Sequence, residues 1–463
     1  MGRSKQDFKP IAEGRVKLYT CGPTVYDYAH IGNLRSFVFD DTLRRMLEVS
    51  GLKVDHVMNI TDVGHLSSDA DEGDDKLEKG AQRESKSVWE VAQQYIDAFI
   101  DDMEQLRVLP PSGNQGTYAR ATDFIDQQID LIKLLLEKGF AYQTDSAIYF
   151  DVSRLKDYGK LTGQKLSEKE VGARDEVVVD SDKKHPQDFA LWFFKVGRFA
   201  DHSMSWPSPW GEGFPGWHLE CSTIIHATLG ETIDIHTGGV DHIGTHHTNE
   251  IAQTEAAYDM DLSNFWLHNE HLLAYNSKMS KSKGNFYTLQ DVKDKDYDPL
   301  ALRLLFLQSH YRTQSNFSWD SLDAAQAALK NIYAWADLQF QNLESESLVD
   351  TYERLFQKIT NSLMDDLSTP EALSFLNEMI DYTAGQGADS KAIAQYSKKL
   401  DDLLGLGLSS RHDISQDNKS LIAHREKARA SQDWTKADEL RQILLDNGLE
   451  INDTAQGPVW RRT

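Results

Sequence analysis

The chain opens on a strand, a helix and a second strand, and this order restricts the fold more than any other feature. Val16 to Thr20 is a short strand-like run that ends at the turn signal Cys21-Gly22-Pro23-Thr24. Asn33 is placed to cap a helix whose apolar positions Phe39, Leu43, Met46 and Leu47 fall at helical spacing, with Gly51 closing it. His56 to Ile60 then returns as a strand. A βαβ opening of this kind predicts an α/β fold with a parallel sheet. Ligands of such sheets bind at the carboxyl ends of the strands, where Cys21 and His30 lie.

Further along, Leu66 to Leu106 reads as acidic and helical, with the run from Asp69 to Asp75 expected as a solvated loop. Phe124 to Gly139 is another amphipathic helix. Ala147 to about Lys184 gives short strands and charged loop, which reads as an insertion. The α/β pattern resumes at Ile233-Asp234-Ile235-His236 and in a helix after His246. From Ser321 to about Leu406 helix follows helix, one of them starting at Thr369-Pro370-Glu371. The polar stretch SSRHDISQDNKS is expected to link these helices to a small last unit. No repeat and no low-complexity tract is visible.

At 463 residues the chain has room for roughly three domains. Lys+Arg 49 against Asp+Glu 73 gives a net charge of -24, which by itself argues against a nucleic-acid binder. That acidity is not uniform. Residues 411–463 carry equal numbers of basic and acidic side chains, so the excess lies upstream. No run approaches the ~18 apolar residues of a membrane span, and mean hydropathy is -0.53. The first ten residues have no apolar stretch behind them for a secretory signal, and Gln6 stands where a myristoylation site requires Ser or Thr. Two cysteines, Cys21 and Cys221, make no disulfide framework and suit a reducing cytoplasm.

Three groups of residues can carry chemistry. His30-Ile31-Gly32-Asn33 puts a histidine and a glycine at a helix N-terminus, where a triphosphate can approach closely. Lys278-Met279-Ser280-Lys281-Ser282 places ammonium groups on a small-residue loop, able to wrap a pyrophosphate as its charge develops. Cys21, Cys221, His246 and Glu250 offer two thiolates, an imidazole and a carboxylate, with His246 and Glu250 sharing a helix face at i and i+4. The same residues also read as two buried thiols beside a surface His–Glu pair, and the lysines as a solvated loop.

With YTCGPTVYDYAHIGN (19–33), NITD (59–62), PGWHLECS (215–222), HTGGVD (236–241), HHTNEIAQTEA (246–256), KMSKSKGN (278–285), DDLSTPEAL (365–373) and DNGLEINDTAQGPVWRR (446–462), the chain resembles the cysteinyl-tRNA synthetases along essentially its full length. These are class I aminoacyl-tRNA synthetases. The resemblance implies Cys21, Cys221, His246 and Glu250 as ligands of one zinc ion that binds the substrate thiolate. It implies Thr61, Trp217, His236 and Asp241 as the amino-acid pocket, with Asp241 toward the ammonium group. His30, Gly32 and Asn33 correspond to the "HIGH" signature, and Lys278 and Lys281 to "KMSKS"; these residues would bind ATP, accompanied by Mg²⁺, with His30, Lys278 and Lys281 catalytic.

The implied architecture is a Rossmann-type catalytic domain in two halves, 1–125 and 206–310, the second carrying the lysine loop. A connective insertion at 126–205 separates them. A helical bundle at 311–409 and an anticodon-binding unit at 410–463 follow. In that unit Trp434 can stack on an unpaired base, while Asp438 and Asp453 can accept from base edges; a core Trp434 with surface aspartates is the other reading. Partners would be L-cysteine, ATP and tRNA(Cys), for a cytoplasmic enzyme expected as a monomer without a membrane. Asn33, Thr237, Thr245 and Thr248 depart from the family pattern and bear on pocket geometry, but none is a ligand position.

The metal fits the chemical problem. Apolar fit separates side chains of methylene-sized difference by only ~10–200-fold, while translation needs ~10⁴. A thiophilic ion that holds cysteine as thiolate can supply the difference from serine. Two other readings are disfavoured: a ligase passing activated cysteine to an amino sugar, by the helices beyond Asp320 and the QGPVWRR ending, and a non-catalytic paralogue, by retention of every expected ligand and both lysines.

Overall fold

In a computed structural model of the chain, residues 4–63, 66, 75–112, 116–163, 183–341, 343, 347–454 and 457–463 are described. The acidic run from Asp69 to Asp74 and most of the charged stretch before Lys184 lie outside them. The chain divides into two units, Met1–Asp291 with Tyr311–Asn316, and Val292–His310 with Phe317–Thr463.

The first unit is built on a five-stranded parallel sheet. Its strands are β1 (Arg15–Thr20), β2 (Lys53–Ile60), β3 (Ala119–Arg120), β4 (Ile233–Gly239) and β5 (Ser263–Asn269), in the order β3-β2-β1-β4-β5. The order reverses between β1 and β4, which pair through Leu18 with Ile235, Tyr19 with His236 and Thr20 with Thr237. A doubly wound sheet opens a crevice at such a reversal, at the carboxyl ends of the strands. Cys21 and the end of β4 therefore face the same crevice.

Helix α1 (Ile31–Val49) joins β1 to β2, as the opening pattern requires. Its start differs from expectation. His30 is the N-cap, and Asn33 sits one turn inside. The reason is chemical: the imidazole Nδ1 accepts from the Asn33 N–H at 3.1 Å, while the Asn33 side chain accepts from the His30 N–H at 3.2 Å. The pair forms a reciprocal capping box with a histidine in place of a hydroxyl.

After β3 the chain runs into a four-stranded antiparallel sheet of Ala141–Gln143, Ala147–Phe150, Phe189–Phe194 and Gly213–Pro215. Phe150, Trp192 and Phe214 are fully buried in it, and the last strand lies beyond residue 205. Two site helices follow, α2 (Leu219–Leu229) and α3 (His246–Tyr258).

The second unit is helical through Trp319–Asp337, Val349–Met364, Thr369–Gln386 and Ser390–Leu404. It ends in α4 (Gln416–Ala430), α5 (Trp434–Asp446) and an antiparallel hairpin of β6 (Leu449–Thr454) and β7 (Gly457–Arg462). The expected linker at 409–420 is not one. Ser409 bonds to Asp401, Arg411 grips buried Asp337 through bonds of 2.5 and 2.6 Å, and Ser415 caps α4. Polar composition suggested a tether, but these side chains each answer a specific partner. Among the described residues no helix is long and apolar enough to cross a membrane.

Candidate active site

Cys21 follows β1 directly, and Cys221 is the third residue of α2. His246 and Glu250 lie one turn apart at the start of α3. The donor atoms of these four buried residues all fall within 4.8 Å of one another. Cys221 Sγ is 3.4 Å from His246 Nε2, which is 2.8 Å from Glu250 Oε1. A second set shares two members: Cys21, His236, His247 and Glu250 converge within the same limit. His247 Nε2 lies 3.3 Å from Cys21 Sγ, and His236 Nε2 lies 2.7 Å from Glu250 Oε2.

Burial raises the pKa of Cys21, but the bond with Cys221 and the charge of His247 outweigh it and hold this thiol well below its usual range. Burial and the neighbouring Cys21 push Cys221 up. Glu250 resists burial because His236 and His246 keep it charged, far below the ordinary carboxylate range. His246 is raised by Glu250 in spite of burial. Two sulfurs, an imidazole and an ionised carboxylate, all buried, are the donor chemistry of a tetrahedral zinc site. The residues fit that ion.

Around the donors lie the residues expected to line the pocket. Trp217, half-buried, stacks on the His246 ring at 4.3 Å. Thr61, just past β2, donates its hydroxyl to Glu220. His236 is fully buried behind the donors, stacked on Trp266 at 4.6 Å. Asp241 is exposed, and His242, His271 and Lys278 keep it charged against its partial desolvation. The departing threonines are each accounted for. Thr237 bonds to Asp40 at 2.6 Å, Thr248 bonds to the Ile243 carbonyl at 2.7 Å, and Thr245 precedes α3 without capping it. Asp40 is pushed up to about 8 by burial, with the Thr237 hydroxyl opposing.

The two nucleotide motifs meet beside this pocket. His30 N-caps α1, and because Nδ1 accepts a bond the neutral ring carries its proton on Nε2. Desolvation lowers the His30 pKa and favours that neutral form. A Cβ on Gly32 would come within 2.9 Å of the His30 ring and 3.4 Å of the Met279 methyl, so the glycine seats both motifs together. The Ile31 N–H donates to the Tyr287 carbonyl at 2.8 Å. Asn285 shapes the lysine loop: it accepts from Ser280 N–H at 2.9 Å and donates to Ser277 Oγ at 2.8 Å and to the Lys278 carbonyl at 3.2 Å. Lys281 pairs with Asp27 and lies over the Phe286 ring, while Lys278 is exposed.

In the second unit Trp434 opens α5 and is 59% exposed, so it is not a core residue. Asp438, one turn on, is also exposed. Asp453 is differently placed, bound by Arg425 at 2.8 Å and Arg429 at 2.6 Å.

Several neighbours of the site were not singled out by sequence. His247 stands inside HHTNE, where its spacing to Cys21 carries no signal, and His268, 2.8 Å behind it, sits in a strand with no motif. Asn59 and Glu220 lie within quoted motifs, yet only the fold brings them together.

Residues 7–327 match the family model for the class I (C) tRNA synthetase catalytic domain. Mycobacterium tuberculosis methionyl-tRNA synthetase, solved with methionyl-adenylate, shares the fold at a TM-score of 0.60 and 12% identity, over 86% of this chain and 92% of that one. An Agrobacterium radiobacter leucyl-tRNA synthetase, solved with tRNA, gives a TM-score of 0.61 at 12% identity over 88% and 87%. Fold and paired motifs thus define a class I aminoacyl-tRNA synthetase. Cysteine--tRNA ligase 1 of Burkholderia lata is 42% identical over 98% of this chain and 94% of its own, and the Treponema denticola cysteine--tRNA ligase is 40% identical over 100% and 98%. The chain belongs to the cysteinyl-tRNA synthetase family.

Proposed function

We propose that the chain joins L-cysteine to ATP, forming cysteinyl-adenylate and pyrophosphate, and then transfers the cysteinyl group to the 3′-terminal adenosine of tRNA(Cys). The observation that carries this reading is the convergence of Cys21, Cys221, His246 and Glu250 within 4.8 Å, beside His30 and the lysine loop. These four residues would hold one zinc, which when bound supplies a thiophilic centre that a serine hydroxyl does not match. Trp217 closes one wall, and Thr61 and charged Asp241 offer acceptors to the substrate ammonium. His236 acts through Glu250, which it orients.

For activation, His30 Nε2–H donates to the phosphates, Asn33 holds the His30 ring in its capping box, and Gly32 lets the lysine loop close on them. Lys278 and Lys281 meet the charge that grows on departing pyrophosphate, with Mg²⁺ accompanying ATP. Positioning and charge stabilisation carry such a step without a dedicated base. The catalytic domain is assigned to 1–125 and 206–310, the insertion to 126–205 with Gly213–Pro215 completing its sheet, the bundle to 311–409 joined by Val292–His310 but without Tyr311–Asn316, and anticodon reading to 410–463. There Trp434 offers a stacking face and Asp438 an acceptor, while Asp453 contributes by holding Arg429 in place. Two free, buried cysteines support a reducing, cytoplasmic setting, and the working unit is assigned as a monomer.

Charging of tRNA(Cys) with labelled cysteine tests the assignment. The intact chain should charge it, and Trp434→Ala should weaken charging by ~1–3 kcal/mol while sparing adenylate formation. Adenylate formation without any transfer to tRNA would contradict the reading and favour a cysteine ligase of another kind.

A further inference from the structure

Each of the two cysteines has a chain neighbour bonded to one buried side chain, Asn59. Asn59 lies near the end of β2 and is 2% exposed. Its Oδ1 accepts from the N–H of Gly22, the residue after Cys21, at 2.8 Å. Its Nδ2 donates to Oε1 of Glu220, the residue before Cys221, at 3.2 Å, and to Thr61 Oγ1, also at 3.2 Å. Thr61 in turn donates its hydroxyl to the same Glu220 oxygen. Thr61 and Glu220 are each 2% exposed as well.

The seat has no slack. A Cβ on Gly22 would fall 1.8 Å from the Asn59 carbonyl oxygen, so the backbone after Cys21 lies directly on β2. The Thr61 N–H then donates to the Pro23 carbonyl at 2.9 Å, and the Val25 N–H to the Thr61 carbonyl at 3.1 Å. Thr61 is therefore fixed by backbone and side chain together. Its proton points at Glu220 and one lone pair takes the Asn59 amide. A single lone pair remains, and it can serve only a donor, such as the ammonium group of an amino acid.

We infer that Asn59 and Glu220 form a hydrogen-bond clasp that sets the spacing of the two cysteine-bearing elements and aims Thr61 as an acceptor at the substrate ammonium. Both are positioning residues for amino-acid selection, an assignment that rests on the function proposed above. The clasp works by matching donors to acceptors. The charge on Glu220 is not its essential property, because a glutamine carbonyl oxygen can accept the same bonds, from Asn59, from Thr61 and, at 4.0 Å, from the Cys221 thiol.

Three full-length variants test this, read by the KM for cysteine in ATP–pyrophosphate exchange and, separately, by the rate at which a chelator removes zinc. Asn59→Asp keeps the bond from Gly22 but sets two carboxylates face to face. It should raise the cysteine KM and speed zinc loss by about 10- to 100-fold, the effect typical of outer partners of metal ligands, with the ATP KM unchanged. Glu220→Gln keeps the acceptor oxygen but leaves its amide where Oε2 has no partner, and should be less affected than Asn59→Asp on both readouts. The double variant N59D/E220Q swaps carboxylate and amide across the clasp and should recover both readouts, which a merely destabilised fold would not do. Wild-type behaviour of Asn59→Asp, no recovery in the double variant, or equal loss in all three overturns the clasp; equal loss would assign the Glu220 charge to direct contact with ammonium or metal. Absence of cysteine-dependent exchange in the wild type would instead refute the proposed function, and zinc loss would still judge the clasp.

Discussion

A thiol is a better metal ligand when its proton leaves easily, and the pocket prepares Cys21 for this through Cys221 and His247. Elemental analysis should find one zinc per chain, and Cys221→Ala should lose it; full retention in that variant would contradict the donor set. His56 gives a second expectation. It is buried between Thr20, at 2.9 Å from Nε2, and Arg44, at 3.5 Å from Nδ1. Burial, with the Arg44 charge, lowers its pKa to about 3. Because the folded value lies below the unfolded one, the stabilisation is complete above pH ~6.5 and is lost as pH falls toward 3. By pH 5 the loss is on the order of 2 kcal/mol. Denaturation at pH 7 and pH 5 should show His56→Gln losing less stability than wild type, and equal losses would refute it. At this scale rarity of cysteine and i, i+4 spacing made the four proposed ligands candidates, and the family resemblance singled them out. Their outer partners could not be named this way. His247, His268, Asn59 and Glu220 owe their places to pairing between distant strands and helices.

The elements proposed to handle ATP are the α1 start and the lysine loop, which approach at Gly32 and Met279. Lys281→Ala should lower the exchange rate by ~10²–10³ with little change in the cysteine KM; collapse of cysteine affinity with turnover intact would move the loop to the amino-acid pocket. Strands and helices were legible wherever a period showed, as in β1, α1 and β2. Phe189–Phe194 was not, because all six of its residues are buried and it shows no alternation. The cap of α1 was misplaced by three residues because a histidine took a role usually filled by Ser, Thr, Asp or Asn. The supposed linker failed on a different ground. Its polarity is real, but Arg411 and Ser415 use it for an ion pair and a cap.

For the whole molecule, a net charge of -24 and a tRNA partner are compatible if the acidic surface and the nucleic-acid surface are separate. Basic and acidic side chains balance in residues 411–463, so the acidic excess lies upstream of them. The terminal unit is also structurally committed. Arg411 and Arg462 both bind Asp337, whose side chain is 1% exposed, and Gln341 exchanges two bonds with the Trp460 backbone at 3.0 and 3.1 Å. Removing residues 411–463 strands a buried carboxylate, at a cost of ~3–5 kcal/mol. Chemical denaturation should show truncation with Asp337→Asn to be more stable than truncation alone; no difference would mean that Asp337 is not held by the tail. The most direct measurement is ATP–pyrophosphate exchange by the intact, zinc-loaded chain with cysteine, serine and the remaining amino acids in turn. Cysteine should drive exchange with serine weaker by ~10⁴, beyond the reach of apolar fit. Exchange with serine at a comparable rate, or none with cysteine, would contradict a metal-based selection of the thiol.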